Sequence, residues 1–339
     1  MNNISVVGVD LAKNVFQIHA VDAKGRTLVR KMLRRAKFLN FFGNIPHCLI
    51  GMEACSSSHY WAREIERLGH TVKLMAPQYV KPYVKTNKND ANDAEAVCEA
   101  VTRPNMRFVT VKDEEQQALL LVHRERDGIV KERTSLINRI RATLAEFGIA
   151  IPVGPRRLHS WFRDDFSSAE QLLPQLMVCH VQRMKRRLNQ LESDLDVLEK
   201  EIAQSSKGNP QCQRLEAVPG IGRLTASALV ASIGTGKEFK SGRQLSAWLG
   251  LVPKQSSSGG KPRLLGISKR GDGYLRRLFI HGARAVIRHM NPKRKVTVWL
   301  RDLECRAHKN VVIVALANKL ARIAWSMLAN GTDYDESFI

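Results

Sequence analysis

Four acidic residues occupy positions from which they can meet at a metal ion. Asp10 ends a β-branched run, "ISVVGVD", and Glu53 ends a later apolar run, "CLIGMEA". Asp90 and Asp93 lie three residues apart in "KTNKNDANDAEA", on one face of a predicted helix start. Two acids at strand ends and two on a helix face can converge at one edge of a sheet. Because crowded carboxylates repel each other, such a cluster favours binding of a divalent cation.

A site of this kind suits phosphoryl transfer. Two Mg²⁺ ions about 3.5–4 Å apart can stabilise both the attacking and the leaving oxygen of a phosphodiester. Lys85 and Lys88 come just before the aspartate pair, and we expect them to hold a DNA backbone against the metal site. Each acid also has a simpler interpretation: Asp10 can cap a turn, Glu53 can cap the following helix, and the aspartate pair favours a helix N-terminus.

The elements that would position these acids alternate along the first hundred residues. "ISVVGVD", "VFQIHAVD" and, after the turn at Gly25, "RTLVRKML" predict a meander of three strands. "CLIGMEA" and "HTVKLMAP" predict two further strands, separated by the helical stretch "SHYWAREIERLG", which Gly69 closes. The pattern indicates an α/β domain in which helices cover a mixed sheet.

The middle of the chain is predicted to be helical. One helix runs from about 113 to 148, and "AIPVGPRR" ends it. A heptad seam follows, with apolar residues at alternating spacings of four and three: Met177, Val181, Met184, Leu188, Leu191, Leu195, Leu198 and Ile202. The seam predicts either one helix of an internal bundle or a coiled coil that joins subunits, and one sequence does not separate these.

A third region begins after Pro210. "LEAVPGIGRLTASALVASIG" predicts two helices joined by a turn at Pro219 to Gly222, similar to a helix-hairpin-helix. The backbone amides at Gly220 and Gly222 could take a phosphate, although an ordinary helix–helix turn has the same pattern. A Ser/Gly-rich loop and a basic helix come next.

The composition favours a nucleic-acid partner. Lys and Arg number 54 against 32 acidic residues, a net charge of +22. Such an excess attracts polyanions, and neutralising phosphates releases counterions. No signal peptide or basic amphipathic helix points to a membrane, and the apolar stretch from Val311 to Leu328 contains Asn318, Lys319 and Arg322, which indicates a buried helix. The six cysteines have no zinc-site spacing and are expected to be reduced core thiols of a cytoplasmic protein.

The order Asp10, Glu53, Asp90-x-x-Asp93 resembles the DEDD signature of RuvC-like, RNase H-type nuclease domains. "GVDLAK" and "KNDANDAEA" resemble the insertion-sequence transposases that carry this domain, a family that also includes pilin-gene invertases and bridge-RNA-guided recombinases. The resemblance covers nearly the whole chain. It implies that the four acids bind Mg²⁺.

The resemblance also implies a nucleophile. The family's C-terminal pattern is a proline, four residues and then Ser-Gly, and in "GLVPKQSSSGGKPR" Pro253 and Ser258-Gly259 match it. Ser258 would attack a DNA phosphodiester and form a covalent phosphoserine link. A serine hydroxyl needs activation by a base or metal, and no base is adjacent in sequence, so we expect the DEDD metal site of another subunit to activate it. Ser256 and Ser257 are distinguished from Ser258 by the motif alone.

The residues around this serine are strongly basic, broken by Asp272. In a chain of this charge, phosphate contacts are expected from seven of them. They are Lys254, Lys261, Arg263, Lys269, Arg270, Arg276 and Arg277.

The predicted organisation has three parts. Residues 1–150 form the RuvC-like DEDD domain with a trailing helix from about 113, residues 151–208 form an α-helical coiled-coil region, and residues 209–332 form a mainly α C-terminal transposase domain. The predicted function is transposition or site-specific recombination of DNA. The resemblance further implies a non-coding guide RNA, a homodimer or homotetramer, and passage through a Holliday junction.

Two other functions remain open at this point. A metal-dependent junction nuclease would use water and need no serine, so Ser258→Ala would leave cleavage intact. A basic nucleic-acid-binding protein whose acids are structural caps would need no Mg²⁺ and would tolerate Asp10→Asn.

Overall fold

The computed structural model describes residues 3–85, 89–289 and 295–335, and the side chains of 295–297 are not described. Internal contacts divide the chain into two compact units, Met1–Glu115 and Gln116–Ile339. Each unit is described separately below.

The first unit is built on a six-stranded mixed sheet in the order β3-β2-β1-β4-β5-β6. β1 pairs antiparallel with β2 and parallel with β4, while β2–β3 is antiparallel, β4–β5 is parallel and β5–β6 is antiparallel. The predicted meander and mixed sheet are therefore confirmed. The strands are β1 (Val6–Leu11), β2 (Val15–Val21), β3 (Thr27–Arg34), β4 (Leu49–Glu53), β5 (Thr71–Met75) and β6 (Phe108–Val109).

Helices cover this sheet, as expected for an α/β unit. Side chains alternate along β1, so that Val7 and Val9 are fully buried in a cluster rich in aromatic rings, with Phe16, Phe38 and Trp61 at ring-centroid distances of 4.3–5.2 Å. Gly8, which lies between these two valines, instead faces the helix α4 (Asp90–Val101). The helices are α1 (Phe38–Gly43), α2 (Ser58–Arg67), α3 (Pro77–Val80) and α4 (Asp90–Val101).

The second unit begins with a helical core. Long helices α5 (Glu114–Ala145) and α8 (Gln175–Lys207) run antiparallel, since Arg126 pairs with Glu199 and Arg187 with Glu132. α6 (Pro155–Asp164) and α7 (Phe166–Glu170) pack against the same hydrophobic cluster.

The heptad seam of α8 is buried by its own chain. Leu188, Leu191 and Leu195 belong to one cluster with Leu136 and Ile140 of α5. The structure thus supports a helix of an internal bundle. The predicted coiled-coil middle is not found as a separate element in the described chain, because α5 and its neighbours cover the seam residues that a subunit contact would need.

The C-terminal region has its own hydrophobic cluster, formed mainly by α10, α12 and α14. A small two-stranded sheet projects from it. The elements are α9 (Pro210–Glu216), α10 (Arg223–Ile233), α11 (Gly242–Trp248), β7 (Pro253–Gln255), β8 (Leu264–Ile267), α12 (Gly273–Arg288), α13 (Lys295–Glu304) and α14 (Lys309–Asn330).

The domain boundaries at about 150 and 208 stay predictions. The contact-based division falls after Glu115, which places α5 with the helices that follow it. The middle and C-terminal helices nevertheless have separate hydrophobic clusters within the second unit.

The structure agrees with the predicted burial of α14 and only partly with the predicted burial of the cysteines. α14 has the length and composition of a membrane span, but 56% of its apolar window is buried inside the protein, which is typical of a core helix. All six cysteines are free, as expected. Their placement as core thiols is wrong for Cys55, Cys179 and Cys305, which are exposed because they lie in a loop or on solvent-facing helix positions.

Candidate active site

Three of the four predicted acids converge in the first unit. Carboxylate oxygens of Asp10, Asp90 and Asp93 all lie within 4.8 Å of one another. Asp10 is near the end of β1, whereas Asp90 and Asp93 occupy the first turn of α4. Asp10 and Asp93 are half-buried and Asp90 is exposed. The cluster is therefore open to a ligand on one side and fixed to two packed elements on the other.

Glu53 lies at the same sheet edge. In the parallel pairing of β1 with β4, Val9 is opposite Met52, and Asp10 and Glu53 each follow by one residue. Glu53 is half-buried, and among the described residues it lies outside the group of three whose oxygens converge. The backbone register thus brings the fourth acid to the site, while its side chain is not within the common 4.8 Å.

Two glycines let α4 approach the sheet. Gly8 on β1 is opposite Gly51 on β4. A Cβ atom on Gly8 would lie 2.2 Å from the carbonyl oxygen of Ala94, and one on Gly51 would lie 2.8 Å from Cβ of Val101. Any side chain at Gly8 would push α4 outward and move its two aspartates away from Asp10.

Polar contacts hold the N-terminal part of α4. Asn89 caps the helix by accepting from the amide of Ala91 at 3.0 Å. Arg30 of β3 donates to the side-chain oxygen of Asn92 at 3.1 Å. Asn89 is thus the cap of α4, while Asp90 and Asp93 occupy its first turn, where acidic side chains also interact favourably with the helix dipole.

The lysines before α4 were predicted to hold DNA. Lys85 Nζ instead lies 3.1 Å from Glu95 and 3.6 Å from Glu99. The hydrogen bond with Lys85 holds the pKa of Glu95 below its usual range. A phosphate contact by Lys85 would require the ammonium group to leave these carboxylates. Lys88 lies outside the described residues.

Ser258 lies at the tip of an exposed hairpin in the second unit. β7 and β8 form its arms, and Ser258 and Lys261 close the tip, with the Lys261 amide donating to the Ser258 carbonyl at 3.1 Å. Gly259 and Gly260 have φ of +54° and +76°, which suits the two central positions of a tight hairpin turn. The turn presents Ser258 to solvent.

The three consecutive serines have different surroundings. Ser257 Oγ accepts from the side-chain amide of Gln255 at 2.9 Å and from the backbone amide of Arg263 at 3.3 Å, so it braces the hairpin. Within the described chain, the hydroxyls of Ser256 and Ser258 make no hydrogen bond. Ser258 therefore has an exposed hydroxyl at a defined backbone position.

The predicted phosphate contacts fall into two groups. Five of the cations are exposed and make no ion pair with any described residue: Lys254, Lys261, Arg263, Lys269 and Arg270. Arg276 instead donates to the carbonyls of Leu249 and Arg270, both at 3.0 Å, and Arg277 pairs with Asp127 of α5 at 2.6 Å.

Asp272 interrupts this basic run for a structural reason. Its carboxylate accepts from the amides of Tyr274 and Leu275 at 2.8 and 2.9 Å and caps α12. The acid thus sets where α12 begins.

Close packing accounts for one of the two glycines in the turn between α9 and α10. Gly220 has φ of +92°, and its carbonyl oxygen would be 1.9 Å from a Cβ on Gly282. Gly222 is exposed with open space around it and begins α10. Phosphate binding here stays a prediction, and only Gly222 has free surroundings for it.

Several residues at the site were missed at the level of sequence. Gly8 and Gly51 each interrupt a strand, a pattern that signals close backbone approach. Glu95 and Asn92 carry no such signal, since their partners come from distant parts of the chain. His19 is opposite Gly8, is 5% exposed, and its burial lowers its pKa.

The arrangement combines an acid cluster suited to a divalent cation with a helix-covered mixed sheet, which is consistent with an RNase H-like DEDD domain. Residues 7–149 match the DEDD group of the IS110 transposases, described as "Transposase", and residues 212–298 match the "Transposase IS116/IS110/IS902 family". The protein is an enzyme that acts on DNA, of the transposase class.

Similar proteins cover the full length. A probable family 20 transposase of Pseudomonas aeruginosa is 50% identical over 98% of this chain and 99% of its own. The transposase for insertion sequence element IS1328 of Yersinia enterocolitica is 42% identical over 99% and 100%, and that for IS1111A of Coxiella burnetii is 42% identical over 98% and 92%. The chain belongs to the IS116/IS110/IS902 transposase family.

Proposed function

We propose that this transposase cleaves and rejoins DNA strands by using a divalent-metal site in its first unit and Ser258 in its second. The observation that carries the proposal is the convergence of Asp10, Asp90 and Asp93 within 4.8 Å. Structural caps have no reason to converge, because three carboxylates at this distance repel each other unless a cation lies among them.

The donor set fits Mg²⁺. It consists of carboxylate oxygens alone, and hard divalent cations prefer oxygen ligands. Asp10, Asp90 and Asp93 would hold the ion, with Glu53 at the adjacent strand end as a further ligand. When bound, Mg²⁺ would activate an attacking oxygen and stabilise the charge of the leaving one.

Ser258 supplies the nucleophile. Its Oγ forms an ester bond to the scissile phosphorus while the bond from phosphorus to a deoxyribose oxygen breaks. The serine proton is removed and a proton ends on the released sugar hydroxyl. Attack by a sugar hydroxyl on the phosphoserine reverses the exchange, so the number of phosphate ester bonds is unchanged and no external energy source is needed.

The hairpin cations bind the DNA backbone. Lys254, Lys261 and Arg263 flank Ser258 on the same exposed hairpin, so they can hold phosphates on both sides of the scissile bond. They position the substrate and do not distinguish bases.

A further component would then have to select the DNA sequence that is cleaved. We propose a non-coding guide RNA that pairs with the DNA, and an assembly of two or four subunits in which one subunit's acid cluster serves another's serine. The protein would act in the cytoplasm with the nucleoid. These parts rest on the family and on the charge of +22.

The test is a search for a covalent protein–DNA adduct. The purified protein with its co-purifying RNA is incubated with Mg²⁺ and labelled DNA from the element's own junction, and the products are separated on a denaturing gel. We expect an adduct that forms only with a divalent ion and disappears with EDTA, Ser258→Ala or Asp10→Ala.

Ser256→Ala is the matched control, because this neighbouring serine is equally exposed and its hydroxyl makes no hydrogen bond in the described chain. It should retain the adduct. Cleaved DNA without an adduct, unchanged by Ser258→Ala, would establish a nuclease that uses water and would overturn the serine mechanism.

A further inference from the structure

The C-terminal region contains a groove that includes the base of the hairpin but not its tip around Ser258. It runs along one face of α14, is bounded by α11, α13, β8 and residues 332–335, and has a volume of about 1190 Å³. Small-molecule pockets are usually about 300–1,000 Å³. The size therefore suits a segment of a polymer better than a single metabolite.

Three cations line the groove. Gly242 packs on the backbone of Arg322, where an added Cβ would lie 2.9 Å from Cα, and the next residue, Arg243, lines the same groove as Arg322. Lys319 lies one turn before Arg322 on α14. None of the three makes an ion pair with a residue that the structure describes. Burial and the neighbouring Arg322 lower the pKa of Lys319, a sign that the cations crowd each other.

Aromatic and aliphatic side chains form the rest of the wall. Trp299 of α13 is half-buried, with Lys319 Nζ 4.7 Å from its ring centroid. Trp325 is fixed by a hydrogen bond from its Nε1 to the carbonyl of Gly236 at 3.0 Å. Val311, on the open face of α14, is 55% exposed. Lys319 therefore covers one face of the Trp299 ring. An indole beside cations that make no ion pair can stack a base on its other face and hold phosphates.

We infer that this groove binds an unpaired stretch of nucleic acid, with phosphates at Arg243, Lys319 and Arg322 and a base against Trp299. A purely apolar partner would cover three unpaired cations, which is unfavourable. A duplex keeps its bases stacked and unavailable to the indoles. Two carboxylates, Asp333 and Asp335, also line the groove. Asp333 is paired with Arg214 at 3.1 Å, which weakens its repulsion of a phosphate. The inference rests on the proposed action on DNA and adds a second binding surface to it.

Binding of a short labelled oligothymidylate, the matching oligouridylate and a duplex of equal length to the full chain tests this by fluorescence anisotropy. Without Mg²⁺, we expect Lys319→Ala/Arg322→Ala to raise Kd for one or both single strands about tenfold, and to lower the salt slope by about 1.4. Trp299→Ala should raise Kd about tenfold. The two single strands distinguish a DNA occupant from an RNA occupant.

Lys200→Ala/Lys207→Ala is the matched control, since it also removes two charges, from exposed positions of α8 that do not line the groove. It should change Kd less than twofold, and thermal melting of each variant checks folding. If the groove variants bind both single strands like the wild type, or lose duplex binding equally, the inference is wrong. Capture of an acidic peptide with unchanged oligonucleotide binding would assign the groove to a protein partner.

The covalent-adduct assay separates this inference from the proposed mechanism. Ser258→Ala should abolish the adduct and leave binding of the single strands intact. A wild type without adduct, but with groove-dependent strand binding, would overturn the serine mechanism alone. An intact adduct with groove variants that bind normally would overturn the groove alone.

Discussion

At the scale of single residues, the candidate site depends on glycines as much as on acids. Asp10, Asp90 and Asp93 would supply the ligand oxygens of the proposed metal site, but Gly8 sets how near the helix bearing two of them can come to the strand bearing the third. A side chain at this position has no space, because the neighbouring atoms are backbone atoms of α4, which cannot move separately.

Gly8→Ala should therefore weaken metal binding without removing a ligand. The new Cβ would meet the Ala94 carbonyl at 2.2 Å, so α4 must shift and the oxygens of Asp90 and Asp93 must move away from Asp10. Overpacking of this kind costs about 1–3 kcal/mol of stability. Titration with Mn²⁺, followed by electron paramagnetic resonance, should give a dissociation constant at least about tenfold higher.

Gly43→Ala is the control for this change, because a Cβ there would meet no atom within 4 Å. It should bind Mn²⁺ like the wild type. Normal binding by Gly8→Ala would mean that the acid cluster tolerates a displaced α4, and the proposed geometry of the site would be wrong.

At the scale of elements, the two long helices α5 and α8 form a core within one chain. Leu188 of α8 is fully buried in the cluster that also contains Leu136 and Ile140 of α5. The same heptad pattern could also form a contact between subunits. A contact between subunits would dissociate on dilution, whereas a core within one chain would not.

Leu188→Ala should lower the free energy of unfolding by about 2–5 kcal/mol, because it leaves a cavity in a packed core. Urea unfolding measures the change, and any dependence of the midpoint on protein concentration should be the same in Leu188→Ala as in the wild type. Val197→Ala on the same helix, at a side chain 50% exposed, should change stability by less than about 0.5 kcal/mol. A midpoint that rises with concentration in the wild type and not in Leu188→Ala would assign the seam to subunit contact.

His123 joins three helices of the second unit. Its ring nitrogens lie 3.0 Å from the Tyr274 hydroxyl on α12 and 3.0 Å from Ser227 Oγ on α10, while His123 itself belongs to α5. Burial, with Arg126 nearby, lowers the pKa of His123 from 6.5 to about 4. The ring is therefore neutral in the folded protein at neutral pH.

This burial predicts an acid-labile core. Below pH 6.5 the unfolded chain takes up a proton at His123 that the folded chain does not, so stability falls as pH decreases towards about 4. The loss from this residue should reach about 3 kcal/mol. Urea unfolding at a series of pH values should give a shallower pH dependence for His123→Gln than for the wild type. Equal pH dependence of the two proteins would contradict a buried neutral histidine.

At the scale of the whole molecule, the charge of +22 makes DNA affinity depend on salt. Each neutralised phosphate of a duplex contributes about 0.9 to the slope of log K against log salt. The structure distributes this charge unevenly: Lys254, Lys261 and Arg263 share one exposed hairpin with Ser258 and make no ion pairs in the described chain.

Replacing these three cations with alanine should reduce the salt slope for duplex binding by about 2.7. Fluorescence anisotropy over a range of salt concentrations measures the slope. The control triple variant Arg183→Ala/Lys200→Ala/Lys207→Ala loses the same charge at exposed positions of α8 and should change the slope by less than about 1. Equal slopes in both triple variants would mean that the net charge alone governs binding.

The sequence by itself determined β1 to β5, the start of α4 and the family, whereas β6 and the β7–β8 hairpin were not predicted. β-branched alternation and glycine punctuation are local signals, and "GVDLAK" and "KNDANDAEA" are specific strings, so Asp10, Asp90 and Asp93 could be selected without coordinates. The long helices were also predictable, because their apolar periodicity is local.

The tertiary structure decided which partner each residue has. It covered the heptad seam of α8 with α5, paired Lys85 with Glu95, engaged Arg276 and Arg277 in contacts of the second unit, and placed half of the cysteines on the surface. It also formed the groove along α14 from elements far apart in the chain. The physical reason is that periodicity and charge indicate which residues can be buried and which can bind an ion. Which partner each residue contacts depends on packing between segments that are distant in the chain.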